Sequence, residues 1–111
     1  MSSELNNLLD TLRDFSKERD WEQFHSPKNL SMALSSEVGE LLERFQWLSE
    51  EDSYLKDAPR LRGFVSEELA DIFIYLLYLS DKLGVDLIDA AEHKIQLNKK
   101  KYPKELSKEV T

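Results

Sequence analysis

Apolar residues recur at helical spacing in several separate stretches of the chain. Near the N-terminus they stand three and four residues apart, which predicts an amphipathic helix from about residue 3 to residue 19. The residues that carry this first pattern are Leu5, Leu8, Leu9, Leu12 and Phe15. Residues 20–25 show no clear period, so we predict a connection there.

The second predicted helix begins at Ser26 and Pro27. Serine is a favoured N-cap, and proline suits the first helical position, where its missing N–H costs nothing. An apolar stripe extends this helix to about residue 48 and consists of Leu34, Val38, Leu41, Phe45 and Leu48. The acidic stretch 49–59 then predicts a polar connection to a third helix.

The third predicted helix is apolar on nearly every side between residues 69 and 79, and such a helix should be buried. It ends at Gly84, because glycine is favoured just after the last turn of a helix. A fourth helix of about 15 residues starts at Asp86, whose side chain suits an N-cap, and ends before Pro103. No stretch shows the alternation that is typical of a strand.

These four helices predict an all-α fold, a four-helix bundle formed by residues 1–103 as a single domain. We expect residues 104–111 to form a flexible C-terminal tail. A chain of 111 residues cannot enclose every side of the third helix by itself. We therefore expect that helix to pack against a second copy, so that the protein is an obligate homo-oligomer whose binding site could be shared between subunits.

Two pairs of carboxylates stand one helical turn apart, Glu37 with Glu40 and Glu68 with Asp71. The first pair alone is more typical of a solvated helix face. The second lies on the helix predicted to be buried, where charges must be paired, protonated or bound to a metal. Two like charges about 4 Å apart repel by roughly 4 kcal/mol at an effective dielectric of 20. If the two helices face each other, all four carboxylates converge and need a cation.

The type of ligand indicates which cation that is. Carboxylates without a histidine at ligand spacing favour Mg²⁺ or Mn²⁺ over the di-iron sites that use Glu-x-x-His. Mg²⁺ commonly bridges to substrate phosphates, which predicts metal-assisted attack on a phosphate ester or anhydride. On the fourth helix, Lys94, Asn98 and Lys101 could hold a polyphosphate. Lysines are also common near helix C-termini because of the macrodipole, so both interpretations stay open.

Several aromatic residues could contribute a nucleobase pocket. Trp21, Trp47 and Tyr75 could stack on a base, although aromatic side chains are more often part of the core. His25 could donate a hydrogen bond to a phosphate or a base edge. We interpret Tyr78 and Phe24 as packing residues.

Composition and charge narrow the classes of ligand. With 22 acidic against 15 basic residues the formal charge is -7, which argues against a nucleic-acid polymer as the main ligand. The chain has no cysteine, which excludes disulfides and thiolate metal sites and fits a cytoplasmic location. The N-terminus does not look like a secretion signal, and the apolar run 72–79 is shorter than the roughly 20 residues that span a membrane. We therefore expect no membrane partner.

Four short motifs carry a resemblance to a known family. They are RDWEQFHSP at 19–27, EVGE and FQW within 37–47, EELAD and IYL within 67–76, and NKKKYP at 98–103. Over about residues 10–103 the chain closely resembles the MazG-like nucleotide pyrophosphohydrolases, and the dCTP pyrophosphatase branch in particular. The resemblance implies an all-α, Mg²⁺-dependent enzyme, typically a tetramer, that hydrolyses a nucleoside triphosphate between the α and β phosphates.

The resemblance also implies roles for individual residues. The implied metal ligands are Glu37, Glu40, Glu68 and Asp71. The implied nucleotide pocket contains Trp21, Trp47 and Tyr75, and the residues near the phosphate and sugar are Lys94 and Asn98. Leu12 stands where a close relative carries a polar pocket residue, so the choice of base is the least determined part of the match.

Our hypothesis is a Mg²⁺-dependent pyrophosphohydrolase, with Mn²⁺ as a substitute, that converts dCTP to dCMP and pyrophosphate. It extends to base-modified dCTP and to a role in nucleotide-pool housekeeping. Either Glu37 or Glu40 would orient or deprotonate the attacking water. One alternative is the same chemistry on dUTP or on a broad range of nucleotides. Another is a non-catalytic helical assembly module whose carboxylates form a solvated face or bind metal only for structure.

Overall fold

The computed structural model describes residues 3–104, which form four α-helices and two short 3₁₀ helices, without a strand in that range. The α-helices are α1 (Ser3–Glu18), α2 (Pro27–Phe45), α3 (Pro59–Leu83) and α4 (Leu87–Lys101). The 3₁₀ helices, Glu22–Phe24 and Asp52–Tyr54, lie in the connections before and after α2. The all-α class and the number of helices are therefore confirmed. Of the predicted tail at residues 104–111, all but Lys104 lies outside the described residues.

The start of α2 follows the predicted capping signal. The Ser26 side chain accepts a hydrogen bond from the backbone N–H of Asn29 at 3.1 Å, and Pro27 occupies the first helical position. The end of α2 differs from the prediction, since the helix stops at Phe45 instead of near Leu48. There the backbone N–H of Leu48 donates to the carbonyl of Phe45 at 2.9 Å, a tight turn that leaves the helical path although the apolar pattern continues.

The boundary between α3 and α4 is also set by local chemistry. Gly84 follows α3 in the left-handed conformation, with φ at 66°, which a residue with a side chain adopts only at a cost. Two residues later the Asp86 carboxylate accepts hydrogen bonds from the N–H groups of Ile88 and Asp89, both at 3.1 Å. Both signals were predicted from the sequence, and both are confirmed.

A small core joins the first three helices. Leu9 of α1, Leu30 of α2 and Leu77 of α3 are almost completely buried, and Leu12 and Tyr78 complete the cluster. The Tyr78 hydroxyl donates a buried hydrogen bond to the backbone carbonyl of Leu12 at 2.9 Å. The packing role predicted for Tyr78 is thus confirmed, and the same side chain also links α1 to α3. The same prediction is wrong for Phe24, whose side chain is 60% exposed because the short 3₁₀ helix that contains it lies on the surface.

An ion pair on the surface supports the same contact between α1 and α3. The Arg13 guanidinium donates two hydrogen bonds to the Asp81 carboxylate, one of them from Nε at 3.0 Å. This contact lowers the pKa of Asp81. Because the pair is partly exposed to water, its contribution to stability is small, and it mainly orients α1.

Two helices leave apolar side chains uncovered in the single chain. In α4 only Leu87 packs against the core, and the rest of the helix is exposed apart from the half-buried Asn98. In α3, Leu69 and Phe73 keep 52% and 41% of their surface exposed. One chain therefore packs α1, α2 and α3 together but does not enclose α3. No helix among residues 3–104 is long and apolar enough to span a bilayer.

Removing the Tyr78 hydroxyl should destabilise the protein modestly. Tyr78→Phe keeps the buried ring and deletes one buried hydrogen bond, so the free energy of unfolding should fall by about 0.5–1.5 kcal/mol. Urea denaturation at a fixed protein concentration measures this change. Tyr102→Phe removes the hydroxyl from a ring that is half exposed and serves as the matched control, with an expected change under about 0.5 kcal/mol. Equal effects of the two substitutions would contradict the assigned role of the hydroxyl.

Candidate functional site

The packing of α2 against α3 brings three carboxylates together. Glu37 and Glu40 on α2 and Glu68 on α3 each offer an oxygen atom within 4.8 Å of the others. Glu68 is buried, Glu37 is half-buried and Glu40 is exposed. Asp71 is exposed and lies outside this group, because it stands one turn further along α3. Within one chain the structure thus gathers three of the four predicted ligands.

Within residues 3–104, this carboxylate cluster has one basic neighbour, and two of its oxygens have no hydrogen-bond donor. The Oε2 atoms of Glu37 and Glu68 are buried without a hydrogen-bond partner. Burial raises the pKa of Glu68 above its ordinary value, and the neighbouring Glu40 raises it further, while Arg44 opposes the shift. Among residues 3–104, Arg44 is the one basic side chain paired with the cluster, with 3.5 Å between its Nη2 and Oε1 of Glu68. One guanidinium does not balance three carboxylates.

The donor set fits a hard divalent cation. Bonds of about 2.0–2.1 Å place opposite oxygen ligands of Mg²⁺ roughly 4 Å apart, which is comparable with the span of the cluster. The group contains only carboxylates, whereas zinc prefers nitrogen and sulfur ligands. The two buried oxygens that have no hydrogen-bond partner would each acquire the cation as a partner. Glu37, Glu40 and Glu68 are therefore suitable ligands for the metal that the resemblance implies.

An apolar pocket of about 380 Å³ lies beside the cluster, between α1 and α3. Its size falls within the range of small-molecule sites. Three residues predicted to bind the nucleotide, Trp21, His25 and Tyr75, meet in its wall together with Asp71. The remaining lining residues are Leu12, Phe15, Ile74 and Tyr78. The pocket therefore combines aromatic faces with one carboxylate directed at the same space as the predicted base.

His25 is held in its position by Tyr78. The two ring centres are 4.7 Å apart, and Nδ1 of His25 is buried without a hydrogen-bond partner. Burial lowers the pKa of His25, and the positive charge of Lys82 lowers it further, while Glu22 acts in the opposite direction. The imidazole is therefore neutral at pH 7 and carries an unused hydrogen-bonding nitrogen in the pocket wall.

Four predicted substrate-binding residues do not meet the others within one chain. Trp47 follows the end of α2 and is 88% exposed. Lys94, Asn98 and Lys101 lie on α4, which packs against the core only through Leu87. None of these four residues lines the apolar pocket or contributes to the carboxylate cluster.

Arg44 and Phe15 belong to the site but were not among the predicted site residues. Arg44 follows Glu40 by four residues, so helical spacing already places the two side chains on one face. Phe15 contacts the edge of Trp21, with 5.4 Å between ring centres, at the wall of the pocket. Its place in the apolar stripe of α1 gave no signal that distinguishes a pocket residue from a core residue.

Comparison with known proteins agrees with this geometry. Residues 32–111 match the MazG-like family. The chain belongs to the MazG-like family. A pyrophosphatase from Archaeoglobus fulgidus, known from its crystal structure, shares this MazG-like fold with a TM-score of 0.85 and 43% sequence identity, and the match covers 94% of this chain and 96% of that one.

Curated relatives of this MazG-like chain carry one name. This chain is 48% identical over 96 residues to dCTP pyrophosphatase 1 of Bos taurus, and the match covers 86% of this chain and 57% of that protein. The identity to dCTP pyrophosphatase 1 of Homo sapiens is 45%, and that match covers 86% of this chain and 56% of the human protein. The chain thus spans little more than half the length of these relatives.

Replacing Glu68 by glutamine should stabilise the metal-free protein at neutral pH. The pKa of Glu68 is raised, so the folded state binds the proton more tightly than the unfolded state, and the wild type gains stability as the pH falls through the raised value. Glu68→Gln should therefore melt at a higher temperature at pH 7 in EDTA, and the difference should shrink towards about pH 4.

Thermal melts followed by circular dichroism measure this effect. Glu67→Gln, an exposed neighbour on α3, is the matched control and should change the melting temperature little. A lower melting temperature for Glu68→Gln than for the wild type at pH 7 would show that the ionised carboxylate is stabilised in the folded protein.

Proposed function

We propose that this chain is a Mg²⁺-dependent nucleoside triphosphate pyrophosphohydrolase that converts dCTP, including base-modified dCTP, to dCMP and pyrophosphate. The observation that carries the proposal is the position of three carboxylates, two on α2 and one on α3, next to an apolar aromatic pocket that α3 also lines. The names of the relatives support dCTP as the substrate and a pyrophosphate bond as the bond that is cleaved. The same arrangement would serve dUTP or other nucleotides if the pocket is not selective for the base.

The proposed reaction adds water across the anhydride between the α and β phosphates. Glu37, Glu40 and Glu68 would hold the cation, and Asp71 lies one turn away on the pocket side. When bound, Mg²⁺ supplies positive charge that neutralises the triphosphate and lowers the pKa of water. Glu37 or Glu40 would accept the proton of the attacking water.

The proposed base site is the apolar pocket. Trp21 and Tyr75 provide aromatic faces on which a base can stack. A neutral imidazole offers one donor and one acceptor, so His25 in the pocket wall can hydrogen-bond the edge of a base. The Tyr78 hydroxyl already donates its hydrogen bond to the Leu12 carbonyl, so Tyr78 contributes packing and holds His25 in place.

Product analysis tests the reaction. Purified protein is incubated with each dNTP, with Mg²⁺ or with EDTA, and the products are separated by chromatography. We expect monophosphate and pyrophosphate from dCTP only when Mg²⁺ is present. Glu37→Gln and Glu68→Gln should lower kcat/KM by about 100-fold or more, while Glu67→Gln should not.

Other product patterns would separate the alternatives. Diphosphate and phosphate would refute cleavage between the α and β phosphates. Equal turnover of every nucleotide would refute selection of the base. If no nucleotide is hydrolysed and Mg²⁺ does not change the melting temperature, the helical assembly module is the better interpretation.

We also propose that the chain forms a homo-oligomer, and that this oligomer is a tetramer, as is typical of the family that the chain resembles. An apolar surface on α2 and α3 supports this, since Leu42, Leu69 and Phe73 are 63%, 52% and 41% exposed. A second copy on this surface could bring Trp47 and the α4 residues Lys94, Asn98 and Lys101 to the pocket of its neighbour. Light scattering should then give about four times the chain mass of 13.0 kDa, and a monomer would contradict the proposal.

A further inference from the structure

One face of α3 carries the site residues in a fixed order. Tyr78, Tyr75 and Asp71 line the apolar pocket, and Glu68 belongs to the carboxylate cluster one turn closer to the N-terminus. Phe64 continues the same face. Since a helix rises 1.5 Å per residue, Phe64 lies roughly 6 Å beyond Glu68 along the axis. Phe64 therefore lies on the side of the carboxylate cluster that is away from the apolar pocket.

Two arginines surround Phe64 at this end. The guanidinium carbon of Arg44 lies 4.6 Å from the centre of the Phe64 ring, and that of Arg60 lies 5.7 Å from it. Both arginines line a surface cavity of about 410 Å³ together with Phe64. Arg44 also lines a polar cavity of about 600 Å³, and the other residues that line it are Glu40, Glu43, Gln46 and Glu68. The cavity that contains the two arginines therefore adjoins the acidic cavity through Arg44, on the side away from the base pocket.

We propose that Arg44, assisted by Arg60, binds the β and γ phosphates of the substrate and afterwards the pyrophosphate product. This inference rests on the proposed function, and it follows from the order along α3. A nucleotide with its base between Trp21 and Tyr75 and its α phosphate at the carboxylates extends its remaining phosphates towards Phe64. The planar fork of a guanidinium matches phosphate oxygens in a bidentate fashion.

The present contact of Arg44 is consistent with an exchange of partners. Its distance of 3.5 Å to Oε1 of Glu68 is long for a charge-assisted hydrogen bond, and 37% of the Arg44 side chain is exposed. Once Glu68 shares its negative charge with a cation, its oxygen becomes a weaker partner for the guanidinium. The oxygens of a phosphate bound beside the cation are then the better acceptors for the guanidinium. Arg44 is a counter-ion before the substrate binds and a phosphate ligand afterwards.

Binding of inorganic pyrophosphate tests this role independently of turnover. Isothermal titration calorimetry with Mg²⁺ present should show that Arg44→Gln weakens pyrophosphate binding by about 10- to 100-fold, the loss expected for hydrogen bonds to a charged group. Arg60→Gln should have a smaller effect. Arg62→Gln makes the same change of charge on the part of α3 that lines a different cavity, with Leu55 and Val65, and should bind as the wild type does.

A second readout separates a phosphate ligand from a structural role. In the hydrolysis assay Arg44→Gln should raise the inhibition constant of pyrophosphate by the same factor and leave that of dCMP within about twofold. Arg44→Lys, which keeps the charge and loses the planar fork, should be intermediate, and it replaces Arg44→Gln if that variant does not fold.

The outcomes for this inference and for the proposed function differ. If Arg44→Gln binds pyrophosphate as tightly as the wild type does, the inference is overturned. It is also overturned if Arg44→Gln loses pyrophosphate and dCMP binding to the same extent, because Arg44 would then act only through Glu68. A wild type that does not bind pyrophosphate also overturns it. If pyrophosphate binding depends on Arg44 but no nucleotide is hydrolysed, the inference holds and the proposed function fails.

Discussion

The contact between α2 and α3 is the constraint on which the rest of the structure depends. It places two carboxylates of one helix opposite a buried carboxylate of the other, in an environment where charge is poorly solvated. Such an arrangement is unfavourable by itself, as the raised pKa of Glu68 shows. It is understandable when the cluster is completed by a cation and by anionic groups of a ligand. The cost in stability and the capacity to bind then have the same physical origin.

Much of the fold could be predicted because its signals are local. Ser26, Asp86 and Gly84 mark helix ends through hydrogen bonds and backbone angles that involve only their immediate neighbours. The end of α2 was placed too late, since apolar periodicity continues to Leu48 while the backbone has already turned at Phe45. Periodicity reports which side chains are buried and does not require that the chain stay helical.

The site could be predicted only in part, because it depends on how helices are rotated against each other. Spacing within a helix identified both carboxylate pairs, yet it could not show that Glu68 faces α2 while Asp71 faces the apolar pocket. The same limit applies to Trp47 and to the lysines of α4, whose distance from the pocket in one chain was not visible in the sequence. Burial of α3 was predicted from the apolar residues on nearly every side of the helix, and a single chain covers only part of that surface.

The continuity of α3 has a consequence for how the protein can vary. Its 25 residues form one helix, and one wall of the pocket, the buried carboxylate Glu68 and Phe64 all lie on it. An insertion or deletion of one residue between two of these groups would rotate one relative to the other by about 100° about the helix axis, so their spacing cannot change by single residues without separating them. Changes in ligand preference are therefore expected in the opposite wall, on α1 and in the segment that contains Trp21 and His25. In an evolving lineage α3 would tolerate substitutions but not changes of length.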